Sequence, residues 1–209
     1  MKFGFELRDF GNSDCYIRND VWHHDSAFKQ PIDIIVADDV IRNDCYRFRQ
    51  LCTSGFVVNV GIDIGANIGT ASRFISKLWP TCNLIAVEPA KSLLPLIELN
   101  APNAKVITGF VGELADSLAG LRNKSKRIAA DLLLFCDVDL LKIDCEGGEV
   151  GFFEEAATSG RLCNIKSVVG EWHGLGVQHT LKVLFEPTHN FTYLDRGWGH
   201  DLFWATRRA

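Results

Sequence analysis

The stretch at 57–69, VVNVGIDIGANIG, constrains this chain more than any other. It begins as a short run of β-branched apolar residues closed by glycine, the pattern of a strand buried on both faces. The residues after the strand force a turn. Gly65 and Gly69 lack a Cβ, so the backbone there can turn sharply and come close to a ligand, and Asn67 tolerates a left-handed conformation. Beyond the turn, Ile68, Ala71, Ile75 and Leu78 recur at helical spacing until Pro80 stops the run. Strand, glycine turn and helix in this order form the nucleotide-site geometry of a doubly wound sheet.

Residues 83–87 are a second short apolar run, and it ends in Glu88-Pro89. An acid at the tip of the second strand, about 20 residues past the glycine turn, is placed to grip the two hydroxyls of a ribose. Turn and acid together point to an adenosine ligand. A dinucleotide site would show G-x-G-x-x-G, whose middle glycine admits a pyrophosphate. Here the turn reads Gly65-Ala66-Asn67-Ile68-Gly69, and that middle glycine is missing.

The rest of the chain fits one α/β domain, 56–209, preceded by a cap at 1–55. Of the 209 residues, 47 % are apolar, enough for a sizeable core. No run approaches a membrane span and the first residues lack the apolar stretch of a signal peptide, so no membrane partner is expected. A net charge of −4 without a basic block argues against nucleic acid. Seven scattered cysteines with no C-x-x-C suggest reduced thiols in a cytoplasmic protein, not a zinc site or disulfide framework. In the cap, His23 and His24 would point to opposite sides of a strand, so a surface or packing role is expected for them.

Further elements are legible along the chain. A short helix at 92–99 would be capped by Ser92, with Pro95 in its first turn. A third strand at 106–110 would place Phe110, Val111 and Gly112 beside an adenine ring. Helices are expected around Leu114, Leu118 and Leu121 and over 128–135, with the basic run 122–127 as a solvated turn between them. The fourth strand leads into Asp144-Cys145-Glu146-Gly147-Gly148-Glu149. The strand ends that flank a glycine turn form the ligand crevice, which puts Asp144 and Glu146 in or beside it. Glu149 would open the next helix (Val150, Phe153 and Ala157 on one face, Gly160 as stop) as a charge that suits the helix dipole. The fifth strand, 165–170, runs into Glu171-Trp172-His173. An acid and a histidine two residues apart share a face, as a base and its orienting partner would. Two last strands, 191–195 and 201–206, read as a hairpin, which adds an antiparallel element to a parallel sheet.

The blocks at 63–69 (DIGANIG), 87–89 (VEP), 141–149 (LKIDCEGGE) and 169–173 (VGEWH) resemble the FkbM-type methyltransferases, a class I S-adenosylmethionine-dependent family. The likeness runs from about residue 57 to the end and extends loosely to 16–18 and 44–46. It implies a doubly wound, Rossmann-like α/β sheet, mostly parallel with a C-terminal antiparallel hairpin. It also implies S-adenosyl-L-methionine as cofactor and methyl transfer to a hydroxyl of a sugar or natural product. The cofactor-binding positions expected are Asp63, Gly65, Ala66, Asn67, Gly69, Glu88, Pro89, Val111 and Asp144. An alcohol needs a base. His173 is the first choice because an imidazole can be neutral at working pH, with Asp144 and Glu146 after it. No metal is expected, because Asp139 starts its strand and only Asp144 and Glu146 would share the site. A nicotinamide-linked oxidoreductase and a cofactor-binding subunit without activity are the alternatives.

Overall fold

The strand β4 (Val60–Ile64) lies inside a seven-stranded sheet, flanked by β5 (Asn83–Glu88) on one side and β7 (Val138–Ile143) on the other. Ile62 is opposite Ile85 and Leu141 in the two parallel ladders. Each fully buried isoleucine of β4 contributes about 1.5–3 kcal/mol by leaving water. The computed structural model describes residues 7–9, 14–18, 21–24, 32–113, 120, 125–194 and 200–208.

The full order is β6-β5-β4-β7-β8-β10-β9, with β6 at Lys105–Thr108, β8 at Ile165–His173, β9 at His189–Leu194 and β10 at His200–Arg207. The five strands from β6 to β8 are parallel, and β10 runs antiparallel to both β8 and β9. Strand order reverses between β4 and β7, so the crevice of a doubly wound sheet opens at their C-terminal ends. This is the expected α/β sheet with its antiparallel hairpin.

Helices cover both faces. With α1 (Ile32–Ile41) and α2 (Phe48–Thr53) before β4, the later helices are α3 (Thr70–Leu78), α4 (Leu94–Asn100), α5 (Ala130–Leu133), α6 (Glu149–Thr158) and α7 (Val177–Phe185). Val40, Tyr46 and Phe48 share one core cluster with Phe74, Ile75 and Trp79 of the α3 region and with Leu140 and Val169 of the sheet. The first part of the chain also forms a small antiparallel sheet, β1 (Leu7–Asp9), β2 (Asp14–Arg18) and β3 (Val21–His24). For His23 and His24 the structure describes this strand alone.

Several details depart from expectation. Ser92 caps nothing: a 3-10 turn, Lys91–Leu93, leads into α4, whose first turn does hold Pro95. The helix expected over 128–135 shortens to α5, because Ile128 N instead donates to Phe110 O beside an isolated parallel bridge between Phe110 and Arg127. Leu114, Leu118, Leu121 and residues 122–124 lie outside the described residues. Arg127, at the end of the basic run, is exposed as expected, and it also pairs with Glu155 while its Nε donates to Gly112 O at 3.0 Å. The buried face of α6 is Glu149, Phe152, Phe153 and Ala156, rotated from the expected Val150, Phe153 and Ala157. The i, i+3, i+4, i+7 spacing is intact, but it begins at an acid.

Candidate active site

A cavity of about 240 Å³ opens at the strand-order reversal, walled by Gly65, Asn67, Glu88, Pro89, Leu93, Phe110, Val111, Asp144 and Glu146 among others. Glu88 ends β5 and is 6 % exposed. Its Oε2 accepts from Asn67 N at 2.9 Å and its Oε1 from Ala90 N at 2.8 Å. Burial raises the Glu88 pKa, and the Ala90 and Asn67 amides work against that rise. The same carboxylate therefore shapes the glycine turn and faces the cavity. Asn67 takes the left-handed backbone expected of it, φ 52°.

Gly65 is required for a different reason than ligand approach. At φ 73° its absent Cβ would overlap the carbonyl of Asp144, so the turns after β4 and β7 can pass only as glycine against backbone. Gly69 and Ala66 are not on the cavity wall. A Cβ on Gly69 would meet Ile97 Cα at 3.0 Å, which makes this residue a contact between α3 and α4. Asp63 is a correction to the expected cofactor set. It is wholly buried, accepts from Ser72 Oγ at 2.6 Å and pairs with Lys142 Nζ at 3.1 Å.

Lys142 was not singled out by its pattern, yet it anchors this end of the sheet. Its Nζ donates to Gly65 O at 2.8 Å and lies 5.7 Å from the Tyr46 ring centroid. Burial disfavours its charge, but Asp63 and Asp144 outweigh burial and raise its pKa. Tyr46 enters the site from the segment before β4 and donates to Asp144 Oδ2 at 2.9 Å. Burial, then the charge of Asp144, pushes its phenol well up, so the hydroxyl stays a donor. The loop that carries it is held on several sides. Asp44 and Arg47 both have left-handed φ. Asp44 Oδ2 accepts from Arg49 N, Trp204 Nε1 donates to Tyr46 O, and the Arg47 guanidinium sits 3.6 Å from the centroid of Trp204.

His173, at the end of β8, is brought together with Asp144 and Glu146. Its Nε2 is 3.8 Å from Asp144 Oδ1 and 3.6 Å from Glu146 Oε2. Its orienting partner is not Glu171. His173 Nδ1 lies 3.0 Å from Glu149 Oε1, a carboxylate only 1 % exposed that also accepts from Cys145 N and Gly147 N. Glu149 is therefore a structural anchor of the site and more than a charge at a helix start. Burial would lower the His173 pKa, but the hydrogen bond and charge of Glu149, with Asp144 and Glu146, push it up to about 9. These acids favour the imidazolium form over the neutral imidazole expected. Asp139 lies at the other end of β7, where it accepts from Asn59 N and Val60 N and meets Lys166 Nζ at 2.6 Å.

The residues present fit S-adenosylmethionine by the chemistry of their groups. Leu93, Phe110 and Val111 offer an apolar wall to a flat ring, Glu88 a carboxylate to a diol, and Asp144 and Glu146 two acids to a sulfonium.

Comparison with protein-family models finds no match, and comparison with curated proteins in sequence finds none. Among solved structures, the chain is similar to precorrin 8w decarboxylase from Methanobacterium thermoautotrophicum. The two share 15 % identity and a TM-score of 0.50, over 78 % of this chain and 89 % of that one. It is also similar to precorrin-6y C5,15-methyltransferase from Geobacter metallireducens GS-15, at 16 % identity and a TM-score of 0.48 over 76 % and 87 %. At these identities the likeness bears on the fold alone, a mostly parallel, Rossmann-like α/β sheet with an antiparallel hairpin.

Proposed function

We propose that this chain is an S-adenosylmethionine-dependent methyltransferase of the FkbM type that methylates a hydroxyl on a small molecule, a sugar or natural product. One observation carries the reading. A single cavity at the strand-order reversal joins the Glu88 carboxylate at one side to Asp144 and Glu146 at the other. A ribose diol and a sulfonium are the two ends of one ligand that such a pair of sites would suit.

When bound, S-adenosylmethionine supplies a methyl group already activated by its sulfonium. The chain's own work is then to hold the acceptor oxygen in line with that methyl and to receive the hydroxyl's proton. Glu88 and the Gly65–Asn67 turn hold the adenosine side. The cluster of Asp144, Glu146 and His173 lies beside the opposite end of the cavity, where the acceptor would stand. With the imidazole protonated, Asp144 and Glu146 are the proton acceptors that the geometry offers. His173, fixed by Glu149, keeps their two carboxylates together. The negative overall charge favours a small acceptor over nucleic acid. Among the described residues no helix is long and apolar enough to cross a membrane.

The test is a thermal shift with S-adenosylmethionine, its demethylated product and NAD. A ligand at 100 times its Kd adds about 2.7 kcal/mol, and in a chain of this size each kcal/mol moves Tm by about 2–4 °C. A rise of about 5–10 °C is expected with the first two ligands. Stabilisation by NAD alone would overturn the reading.

A further inference from the structure

Three donor groups from two parts of the chain, the loop after β7 and the end of β8, converge beside the cavity. One donor atom each from Asp144, Glu146 and His173 can be chosen so that all lie within 4.8 Å of one another. His173 Nε2 to the two carboxylates spans 3.6 and 3.8 Å, longer than a hydrogen bond. Donors held about 2.0–2.2 Å from a common ion stand about 3–4 Å apart. The two spacings to His173 Nε2 are those of ligands around a centre.

The outer contacts point the same way. The Asp144 oxygen that faces His173 is Oδ1, while Oδ2 is held by the buried Tyr46 hydroxyl. The imidazole nitrogen that faces the carboxylates is Nε2, while Nδ1 is held by the buried Glu149. Metal-ligating histidines and carboxylates are oriented in this way, with the second atom of each group bonded outward. A histidine that served only as an ion-pair partner would be satisfied by Glu149. Here two more carboxylates sit on its opposite nitrogen, so three acids face one imidazole. Glu146 is 62 % exposed and Asp144 24 %, which leaves the centre open to solutes.

We propose that Asp144, Glu146 and His173 form a divalent-cation site, bound through Asp144 Oδ1, Glu146 Oε2 and His173 Nε2, the ion displacing the Nε2 proton to water as it binds. Two carboxylate oxygens and one imidazole nitrogen lie between the all-oxygen sets of Mg²⁺ and the imidazole-rich sets of Zn²⁺, so Mn²⁺ is the representative ion. Three protein donors leave coordination positions open toward the cavity that Asp144 and Glu146 line. What the ion does there rests on the methyltransferase reading. An acceptor hydroxyl whose oxygen occupies an open position loses its proton to water more readily, and Asp144 and Glu146 then act as ligands in place of proton acceptors.

The experiment is titration of the full, chelator-dialysed chain with Mn²⁺, followed by calorimetry and by loss of the free-ion paramagnetic resonance signal. No cofactor is added. Saturable one-to-one binding is expected. Glu146→Gln and His173→Gln should weaken it at least ~10-fold, the lower limit seen for outer-contact losses at metal sites. Glu154→Gln, on α6 away from the cluster, should leave binding unchanged. Glu146 is exposed, so its variant tests the site without threatening the fold, and circular dichroism melts confirm that each variant is folded. Absence of saturable binding to the folded chain, or equal binding in both cluster variants, would overturn the site. S-adenosylmethionine affinity is measured separately on metal-free protein, so failure of the cofactor reading and failure of the ion site are distinguishable.

Discussion

Glu88 offers a sharp test because its two oxygens already have duties in the ligand-free chain. They accept from Asn67 N at 2.9 Å and from Ala90 N at 2.8 Å. Hydrogen bonds to a charged group are worth about 1.5–3 kcal/mol each. Glu88→Ala removes both, although water can reach the cavity side of the turn and recover part of the loss. A stability loss of about 2–4 kcal/mol is therefore expected, a fall in Tm of about 4–16 °C for a chain of this length. Glu88→Gln keeps one oxygen acceptor and the side-chain shape, so it should lose about half as much. Both variants lose the charged grip on the ribose diol. At about 1.5–3 kcal/mol, that weakens S-adenosylmethionine binding by about 10- to 150-fold. Calorimetry on the Gln variant separates the two effects, since it stays folded. If that variant melts near the wild type and binds S-adenosylmethionine with unchanged affinity, the carboxylate does not meet the ribose and the cofactor placement fails.

Gly65→Ala should abolish soluble folded protein, because the new Cβ overlaps the Asp144 carbonyl at a left-handed φ; a normal circular dichroism melt would show that the two turns can separate. His189 is buried against Ile165 O and next to Thr188 Oγ1, and burial lowers its pKa below the usual 6.5. Its folded form binds a proton less readily than its unfolded form, so its contribution is present above about pH 6.5 and is lost as pH falls through the lower folded value. Urea melts between pH 7 and 5 should show this slope in the wild type and a shallower one in His189→Gln.

The parts of the fold that were legible are those where local pattern and burial agree. Strands β4, β5 and β8 are buried on both faces, so they appear as apolar runs whatever their neighbours. The glycine turn and the Glu88 tip follow because one strand's end fixes the next element. The candidate site was legible as far as each segment's own tip: Gly65, Asn67, Glu88, Val111, Asp144 and Glu146 all reach the cavity. Partnerships across segments were not legible. Glu149 and His173 are 24 positions apart and meet only because α6 starts where β7 ends beside β8. The neighbouring Glu171 competed for the role on spacing alone. The same contact explains the rotated face of α6, since a buried acid is indistinguishable in sequence from one in water. Tyr46 reaches Asp144 across 98 positions from a segment without periodicity. Asp63 shows the converse error: a polar residue inside a ligand motif can serve a buried lysine.

That lysine sets the last prediction. Lys142 and Asp63 have side chains 4 % and 0 % exposed, and they lie 3.1 Å apart in adjacent strands. Two charges buried at the centre of a sheet persist only together, because either one alone keeps its desolvation cost without its partner's attraction. Lys142→Met should therefore cost about 3–5 kcal/mol. Part of that loss comes from Gly65 O, which would lose its donor at 2.8 Å. In an Asp63→Asn background the same lysine change removes a charge that no longer has a buried anion to neutralise, so the loss should shrink by at least ~1 kcal/mol. The double-mutant cycle in urea isolates this coupling, because the Gly65 contact is lost with Lys142 in both backgrounds and cancels. Residues in contact couple by about 0.5–3 kcal/mol, whereas independent sites add within about 0.5 kcal/mol. Additive losses would mean that Lys142 stabilises the turn through its carbonyl contacts alone and that Asp63 is held by Ser72 without it.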